Sequence, residues 1–217
     1  MLSPRREREI SLPIYIYGAG GHGKAVSEVI KSKDKYEIKG FIDDNESINK
    51  ANNLPVLTLE DFSPSDSFNV VIAVGNNQSR RKIYKRLRNK FRNINFPSII
   101  HKHSFLSSDV EVGEGAVIMA GVNVGPDTKV EAFSILNSSS SIDHDCKIGE
   151  FSFIGPGAIL GGGVVIREEA FIGLGSKIIN NISIGERSIV GAGSLVLKDI
   201  EDDSLNYGSP SQFIKKV

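Results

Sequence analysis

Aliphatic side chains recur at every sixth position along the second half of the chain. From residue 100 to residue 196, each sixth residue is Val, Ile or Leu without exception. The seventeen positions are Ile100, Leu106, Val112, Ile118, Val124, Val130, Leu136, Ile142, Ile148, Ile154, Leu160, Ile166, Ile172, Ile178, Ile184, Val190 and Val196. A period of six fits neither an α-helix nor an ordinary alternating strand, so it predicts a solenoid of short parallel strands.

The same hexads predict the interior and the length of this solenoid. A small residue four positions after the aliphatic is expected to share the interior, as at Ala116, Thr128, Ser140, Ser152, Ala158, Ala170 and Ser176. Glycine directly follows the aliphatic at positions 113, 125, 149, 155, 161, 173, 185 and 191, where we expect a tight corner to need backbone freedom. Three hexads would close one triangular coil, so residues 100–198 predict about five and a half coils, roughly 26 Å in length.

The first half of the chain has a different pattern, in which short apolar runs alternate with amphipathic ones. It predicts strands at residues 14–17, 38–42 and 70–74, and helices at 24–32 and 80–90. Such alternation favours an α/β fold with a parallel sheet of βαβ units, and about 80 residues hold only half of a full dinucleotide fold. We therefore divide the chain into residues 12–97 and residues 98–217, the second part ending in a carboxyl-terminal tail.

Composition narrows the functional class. The 26 basic and 26 acidic side chains balance, so no bulk charge indicates a nucleic acid or an anionic membrane as partner. The single cysteine, Cys146, excludes a disulfide framework and fits a reducing cytoplasm. Residues 1–9 are charged and unlike a signal peptide, and no apolar run approaches the roughly 20 residues that span a bilayer. We therefore expect a soluble, cytoplasmic protein.

A glycine-rich motif follows the first predicted strand. Residues 18–23 fit G-x-G-x-x-G, Asp43 and Asp44 follow the second strand, and Gly75 follows the third. All three loops would lie at the carboxyl ends of parallel strands, where glycines and a helix start receive phosphates and an acidic side chain receives ribose or base donors. A turn that serves packing alone and a literal NAD site remain the alternatives, although only half of a dinucleotide fold is present.

One histidine projects from the hexad pattern between two acids. His144 comes two residues after the inward Ile142 and is flanked by Asp143 and Asp145. An outward imidazole beside carboxylates suits a general base, although a solvated surface histidine would give the same pattern. Either acid could orient the ring, but only at a bent corner, because adjacent side chains of a strand point apart.

The register of the hexads argues against two other kinds of site, a cysteine nucleophile and a metal centre. Cys146 occupies a small inward position, which indicates packing rather than an acyl-carrying nucleophile and favours direct transfer. His103 and His144 lie about 2.3 coils apart, or roughly 11 Å along the axis. Zinc–nitrogen bonds are near 2 Å, so these histidines cannot share an ion and we expect no metal.

The hexads, together with the segments GAGGHGK, FIDDN and IDHDCKIG, resemble the hexapeptide-repeat acyltransferases. Over about residues 12–215 the chain is similar to the sialic acid O-acetyltransferase and UDP-amino-sugar N-acetyltransferase family, of the NeuD/PglD type. The resemblance implies a left-handed parallel β-helix, a homotrimer with its active site between subunits, and acetyl-CoA as co-substrate. It implies N-acetylation of a nucleotide-linked amino sugar, with a UDP-sugar as the first expectation. Sialic acid O-acetylation and a non-catalytic nucleotide-binding trimeric scaffold are the alternatives.

The resemblance also assigns roles to particular residues. The catalytic pair would be the base His144 and its orienting carboxylate Asp145. Contacts to the nucleotide sugar would come from Gly20, Gly21, His22, Asp43, Asp44 and Gly75. Contacts to coenzyme A would come from Phe153, Leu174 and Ala192.

The assigned positions carry two consequences. Phe153 stands where many members have a histidine that touches the acetyl group. Phenylalanine donates no hydrogen bond, so either backbone N–H groups hold the oxyanion or the pocket suits another acyl chain. Leu174 and Ala192 are one 18-residue coil apart and should stack, whereas His144 is one coil and two faces from Leu174. A site that unites them needs a shared corner or a second subunit.

Overall fold

A computed structural model of the chain describes residues 11–64 and 67–217. The charged stretch 1–9, which we expected not to be a signal peptide, lies outside these ranges. Within them, no helix has the length and apolar character needed to cross a membrane.

The first half folds as one sheet with two helices. Its elements are β1 Leu12–Tyr17, α1 Gly21–Lys31, β2 Tyr36–Ile42, β3 Lys50–Ala51, β4 Leu54–Leu57, β5 Phe68–Ile72, α2 Asn77–Lys90 and β6 Ile94–Asn95. The sheet order is β3-β4-β2-β1-β5-β6, and β1 pairs in parallel with both β2 and β5. The predicted βαβ arrangement is confirmed, and each predicted element begins two or three residues earlier than expected. Strands β3, β4 and β6 were not predicted.

The second half is a solenoid of seventeen two-residue strands, each of which ends on a predicted aliphatic. They are β7 Ile99–Ile100, β8 Phe105–Leu106, β9 Glu111–Val112, β10 Val117–Ile118, β11 Asn123–Val124, β12 Lys129–Val130, β13 Ile135–Leu136, β14 Ser141–Ile142, β15 Lys147–Ile148, β16 Phe153–Ile154, β17 Ile159–Leu160, β18 Val165–Ile166, β19 Phe171–Ile172, β20 Lys177–Ile178, β21 Ser183–Ile184, β22 Ile189–Val190 and β23 Leu195–Val196. Because every third strand pairs in parallel, the strands form three faces and between five and six coils, as predicted.

We name the faces by their strands. Face 1 contains β7, β10, β13, β16, β19 and β22; face 2 contains β8, β11, β14, β17, β20 and β23; face 3 contains β9, β12, β15, β18 and β21. Two further strands, β24 Ser204–Gly208 and β25 Ser211–Lys216, form an antiparallel hairpin that extends face 1. This hairpin was not predicted.

The solenoid interior follows the hexads, but the glycines act differently from our expectation. The predicted small inward residues are all buried. At Gly125 a Cβ atom would lie 2.8 Å from the backbone nitrogen of His144 on the next coil, and at Gly173 2.5 Å from that of Ala192. These glycines therefore permit close approach of stacked backbones. Backbone freedom at the corner was the wrong reason, because the left-handed φ angles occur two positions later, as at Asp127 after Gly125 and at Gly175 after Gly173.

The α/β half packs on face 1. The outward side chains of Ile99, Val117 and Ile135 are buried there, in one apolar cluster with Val26 and Val29 of α1. Face 3 presents charged residues instead, including an exposed lysine on β12 and another on β15. The fold thus fixes the glycine-rich loop, which opens α1, relative to one defined face of the prism.

Candidate active site

His144 lies at the corner between faces 2 and 3, directly after β14, with its side chain 53% exposed. Its Nδ1 atom is 2.6 Å from Oδ2 of Asp145. Asp145 has φ of +59°, and this left-handed bend turns its carboxylate back onto the ring of its neighbour. Asp143 instead accepts the backbone N–H of His144 at 2.8 Å. The geometry gives Asp145 the contact to the ring that the resemblance implied.

The carboxylates change the chemistry of this imidazole. The hydrogen bond that the ring donates to Asp145 and the charge of Asp143 raise the pKa of His144 above its ordinary value. A histidine with a raised pKa is a better proton acceptor. The exposed ring is therefore suited to take a proton from a bound nucleophile.

The glycine-rich loop presents an open backbone surface. Gly20 precedes α1 in an extended conformation without a side-chain cap, and Gly21 begins the helix. A Cβ atom at either position would meet no atom within 4 Å. Such an uncapped helix start is suited to receive a phosphate.

His22, the next residue, is mostly buried. Its Nε2 atom is buried and has no hydrogen-bond partner among the described residues. Burial, together with the charge of Arg80, lowers the pKa of His22 to about 4, so the ring is neutral at physiological pH. It would meet a ligand as a hydrogen-bonding group rather than as a cation.

The two acids that follow β2 already have partners within the chain. Asp43 accepts the backbone N–H of Ala19 at 2.7 Å and that of Asn45 at 2.9 Å. Asp43 thereby holds the glycine-rich loop against the end of β2. The sequence did not predict this bracing role, and the expected contact with a nucleotide stays a prediction.

Asp44 is part of a polar cluster at the same edge. It accepts the hydroxyl of Tyr17 at 2.9 Å and Nη1 of Arg86 at 2.8 Å. Burial disfavours its charged form, but the hydrogen bonds from Arg86 and Tyr17 outweigh burial and hold the pKa of Asp44 below its usual range. Asp44 therefore stays ionised, and ribose or base contacts would have to use its remaining lone pairs.

Gly75 and Phe153 bring the α/β half and the prism together. Gly75 lies beyond the end of β5, and a Cβ atom there would be 3.9 Å from Cε2 of Phe153. Phe153 points outward from face 1 and stacks on Phe171, with ring centroids 4.9 Å apart and planes 5° from parallel. Within one chain, Phe153 thus neighbours the loop of Gly75 rather than the corner of His144.

Sequence reasoning missed the residue that joins these parts, Arg80. Its guanidinium is fully buried between α2 and the prism. It donates to the carbonyl oxygens of Val74, Gly75, Phe133, Phe151 and Ser152, at 2.7–3.2 Å. The amphipathic pattern of residues 80–90 predicts a helix, but not a buried arginine within it. The available signal was the spacing of Arg80, Ile83 and Leu87, which places the arginine on the buried side of α2.

Leu174 and Ala192 lie at the corner between faces 1 and 2. They occupy equivalent positions on successive coils, as predicted from their 18-residue spacing, and the Gly193 N–H donates to the Leu174 carbonyl at 2.8 Å. Leu174 is 61% exposed, so this corner offers an apolar surface, and the expected contact with coenzyme A stays a prediction. It is a different corner from that of His144.

Cys146 is buried beside the histidine, as predicted. Its Sγ atom donates to the carbonyl oxygen of Gly161 at 3.3 Å, and burial raises the pKa of the thiol. A protonated, enclosed thiol is a poor nucleophile. Within residues 11–64 and 67–217, no group of three or more His, Cys, Asp or Glu side chains is arranged to hold a metal ion.

The chain is similar in sequence to a known domain family and to two other proteins. Residues 13–87 match the PglD N-terminal domain. The chain is 33% identical over 114 residues to UDP-N-acetylbacillosamine N-acetyltransferase of Bacillus subtilis (strain 168), an alignment that covers 49% of this chain and 51% of that protein. It is 30% identical over 128 residues to an uncharacterised protein of Acanthamoeba polyphaga mimivirus, covering 58% of this chain and 25% of that protein. The chain thus spans about half, or less, of these two relatives.

Solved structures match over nearly the whole chain. PerB from Caulobacter crescentus, determined with CoA and GDP-perosamine, is 30% identical with a TM-score of 0.85, covering 95% of this chain and 99% of that one. The acetyltransferase domain of PglB from Neisseria gonorrhoeae FA1090, determined with acetyl coenzyme A, is 32% identical with a TM-score of 0.85, covering 94% and 100%.

These likenesses define the fold as a Rossmann-like half followed by a left-handed β-helix, as expected. The chain belongs to the hexapeptide-repeat sugar acyltransferase family of the PglD type.

Proposed function

We propose that this protein transfers an acetyl group from acetyl-CoA to the amino group of a nucleotide-linked amino-deoxy sugar. The observation that carries the proposal is the exposed His144–Asp145 pair on a prism that matches PerB along nearly its full length. PerB was determined with CoA and a GDP-linked amino sugar, and the matching domain of PglB with acetyl coenzyme A. The single, buried cysteine supports a reducing cytoplasm as the compartment.

The reaction follows from the chemistry of the pair. The amine nitrogen of the sugar attacks the thioester carbonyl carbon while neutral His144 accepts the amine proton at Nε2. A C–N bond forms, the C–S bond breaks as the tetrahedral intermediate collapses, and the imidazolium returns its proton to the departing thiolate. Asp145 holds the ring through Nδ1 and stabilises the imidazolium. Because Cys146 is buried and protonated, transfer is direct, without an acyl-enzyme.

The nucleotide part of the sugar substrate would bind at the loops of the α/β half. Gly20 and Gly21 offer open backbone at a helix start for the phosphates, and neutral His22 adjoins them. UDP is our first expectation for the nucleotide, while the GDP-perosamine held by PerB makes GDP a specific competitor.

A homotrimer would assemble the complete site. One chain places the His144 pair, the Leu174 and Ala192 surface, and the Gly75 loop at three different corners or faces of the prism. A base, a donor surface and a substrate loop can meet only if neighbouring chains contribute them. Face 2 offers exposed apolar side chains for such contact, including Phe105 at 62% and Ile159 at 47% exposure.

Thiol release tests the reaction. The enzyme would be incubated with acetyl-CoA and a panel of UDP-, GDP- and dTDP-linked amino sugars plus free sialic acid. We expect release with one or more nucleotide amino sugars and its loss in His144→Asn, which preserves size but not basicity. Release with sialic acid alone would instead support O-acetylation. If His144→Asn retained full release, the histidine would not be the base.

Thermal shift separates the enzyme from a silent scaffold, because a ligand that prefers the folded state raises the Tm. The enzyme should be stabilised by the nucleotide sugar and by coenzyme A, whereas a scaffold should respond to the nucleotide alone.

Complementation tests the shared site. Gly21→Glu adds a negative charge where a phosphate would bind, and its Cβ atom would have no other atom within 4 Å. We expect His144→Asn and Gly21→Glu each to be inactive, and their mixture, after dissociation and reassembly, to regain activity. Without recovery in verified mixed trimers, the site would lie within one chain.

A further inference from the structure

The position one coil beyond His144 holds a glycine. Because one coil contains 18 residues, Pro126, His144, Gly162 and Asn180 occupy equivalent positions along the same corner. The coils of His144 and Gly162 are hydrogen-bonded here, since the N–H of Gly163 donates to the His144 carbonyl at 2.9 Å. The imidazole leans along this corner over Gly162.

The contact between ring and glycine is close. A Cβ atom built on Gly162 would lie 2.6 Å from both Cε1 and Nε2 of His144 and 3.2 Å from Nδ1. Real Cβ atoms essentially never approach other atoms within 3.0 Å, so any other residue at this position would exclude the observed ring orientation.

The backbone itself does not require this glycine. Its φ lies outside the left-handed region, in contrast to Gly163 at +70°. Its three nearest neighbours are all atoms of the His144 ring, whereas the corresponding Cβ at Gly161 would meet the backbone nitrogen of Asn180 at 2.9 Å. A methyl group at Gly162 would therefore displace an exposed side chain rather than the main chain.

We propose that Gly162 is a positioning residue that seats the His144 imidazole, so that Nδ1 stays on Asp145 and Nε2 stays available to the substrate amine. The positioning of the ring by Gly162 follows from the geometry alone, whereas its effect on turnover rests on the proposed function. A side chain here would swing the ring away from Asp145 and remove the orienting carboxylate without unfolding the corner.

The first test is an NMR titration of the histidine Cε1–H signals in the wild-type protein and in Gly162→Ala, with the His144 signal assigned by its loss in His144→Asn. We expect His144 to titrate above the ordinary value in the wild type and nearer to it in Gly162→Ala. The Tm of the variant should not fall, because alanine at a compatible backbone position does not destabilise the fold. This titration needs no substrate. It therefore tests whether Gly162 positions the His144 ring even if the protein acetylates no sugar.

Steady-state kinetics tests the consequence for turnover. In Gly162→Ala we expect kcat to fall by about tenfold or more, with KM for both substrates within about twofold, because a general base contributes to the transition state. Adding Gly162→Ala to Asp145→Asn should lower kcat much less than Gly162→Ala lowers it in the wild type, since both changes break the same contact.

Asn180→Ala is the matched control, one coil further along the same corner, and should leave the His144 titration unchanged. The proposal is overturned if Gly162→Ala leaves both the titration and kcat as in the wild type. It is equally overturned if that variant unfolds, if Asn180→Ala shifts His144 as much, or if Gly162→Ala and Asp145→Asn act additively.

Discussion

Nη2 of Arg80 donates to the carbonyl oxygen of Phe151 at 2.7 Å, across the boundary between the α/β half and the prism. Phe151 lies two residues before Phe153, and the same guanidinium also reaches the carbonyl of Gly75 at 3.2 Å. One side chain therefore holds Gly75 and the segment that leads into Phe153. Burial lowers the pKa of Arg80 to about 9, yet its hydrogen bonds satisfy the guanidinium, so it remains charged at neutral pH.

Replacing Arg80 should be strongly destabilising. Arg80→Met would leave several buried carbonyl oxygens without donors, and each such group costs about 1–3 kcal/mol. We expect the free energy of unfolding to fall by at least about 3 kcal/mol in urea titrations at fixed protein concentration. Lys85→Met, which removes one positive charge from an exposed position of the same helix, should change it by less than about 0.5 kcal/mol. Similar losses in the two variants would contradict the role of Arg80.

The pH dependence of turnover should report the His144–Asp145 pair. A general base must be neutral, so kcat should rise with pH and level off above the pKa of His144, which lies above the ordinary value of about 6.5. In Asp145→Asn the inflection should move down toward 6.5, with a plateau lowered by at least about tenfold.

Asp143→Asn is the matched control for this profile. It removes a carboxylate that contacts the His144 backbone rather than the ring, so its downward shift should be smaller. An inflection that stays in place in Asp145→Asn would show that this carboxylate does not set the pKa of the base.

The pH dependence of stability should report His22. Its pKa in the folded protein, about 4, lies below the unfolded value of about 6.5, so the unfolded chain binds the extra proton between these values. The stability that this neutral ring contributes is fully present above pH 6.5 and is lost as the pH falls toward 4.

The measurement compares wild type with His22→Gln, which cannot titrate. Between pH 7 and pH 5 the wild type should lose about 2 kcal/mol more free energy of unfolding than the variant. Equal losses in the two proteins would mean that His22 does not become protonated on unfolding in this range.

The sequence specified the prism far better than the contacts that surround it. The hexads predicted every strand from β7 to β23, because one inward aliphatic such as Ile142 sets the register of its hexad. The hairpin of β24 and β25 escaped prediction, since Gly208, with φ of +112°, and Pro210 interrupt the alternation there. Strand β3 has only two residues, too few to show any period.

The candidate site likewise has features that the hexads predict and features that they do not. The outward position of His144 and the buried position of Cys146 follow from counting within hexads. The ring contact of Asp145 depends on one left-handed φ angle, which residue type alone does not fix. Arg80 and Gly162 act through residues distant in sequence. Helical spacing and the 18-residue coil indicate where these two residues lie, but not the contacts that give them their roles.

Cys146 allows a direct test of how the acetyl group moves. It is buried beside His144, and its Sγ donates to the carbonyl of Gly161, so Cys146→Ala should keep kcat within about twofold while costing roughly 1 kcal/mol of stability. The native enzyme should also resist iodoacetamide until denaturant exposes the thiol. Mass spectrometry of wild-type enzyme quenched in acid during turnover should show no acetylated protein. An acetyl adduct on Cys146, together with inactivity of Cys146→Ala, would replace direct transfer by a thioester route.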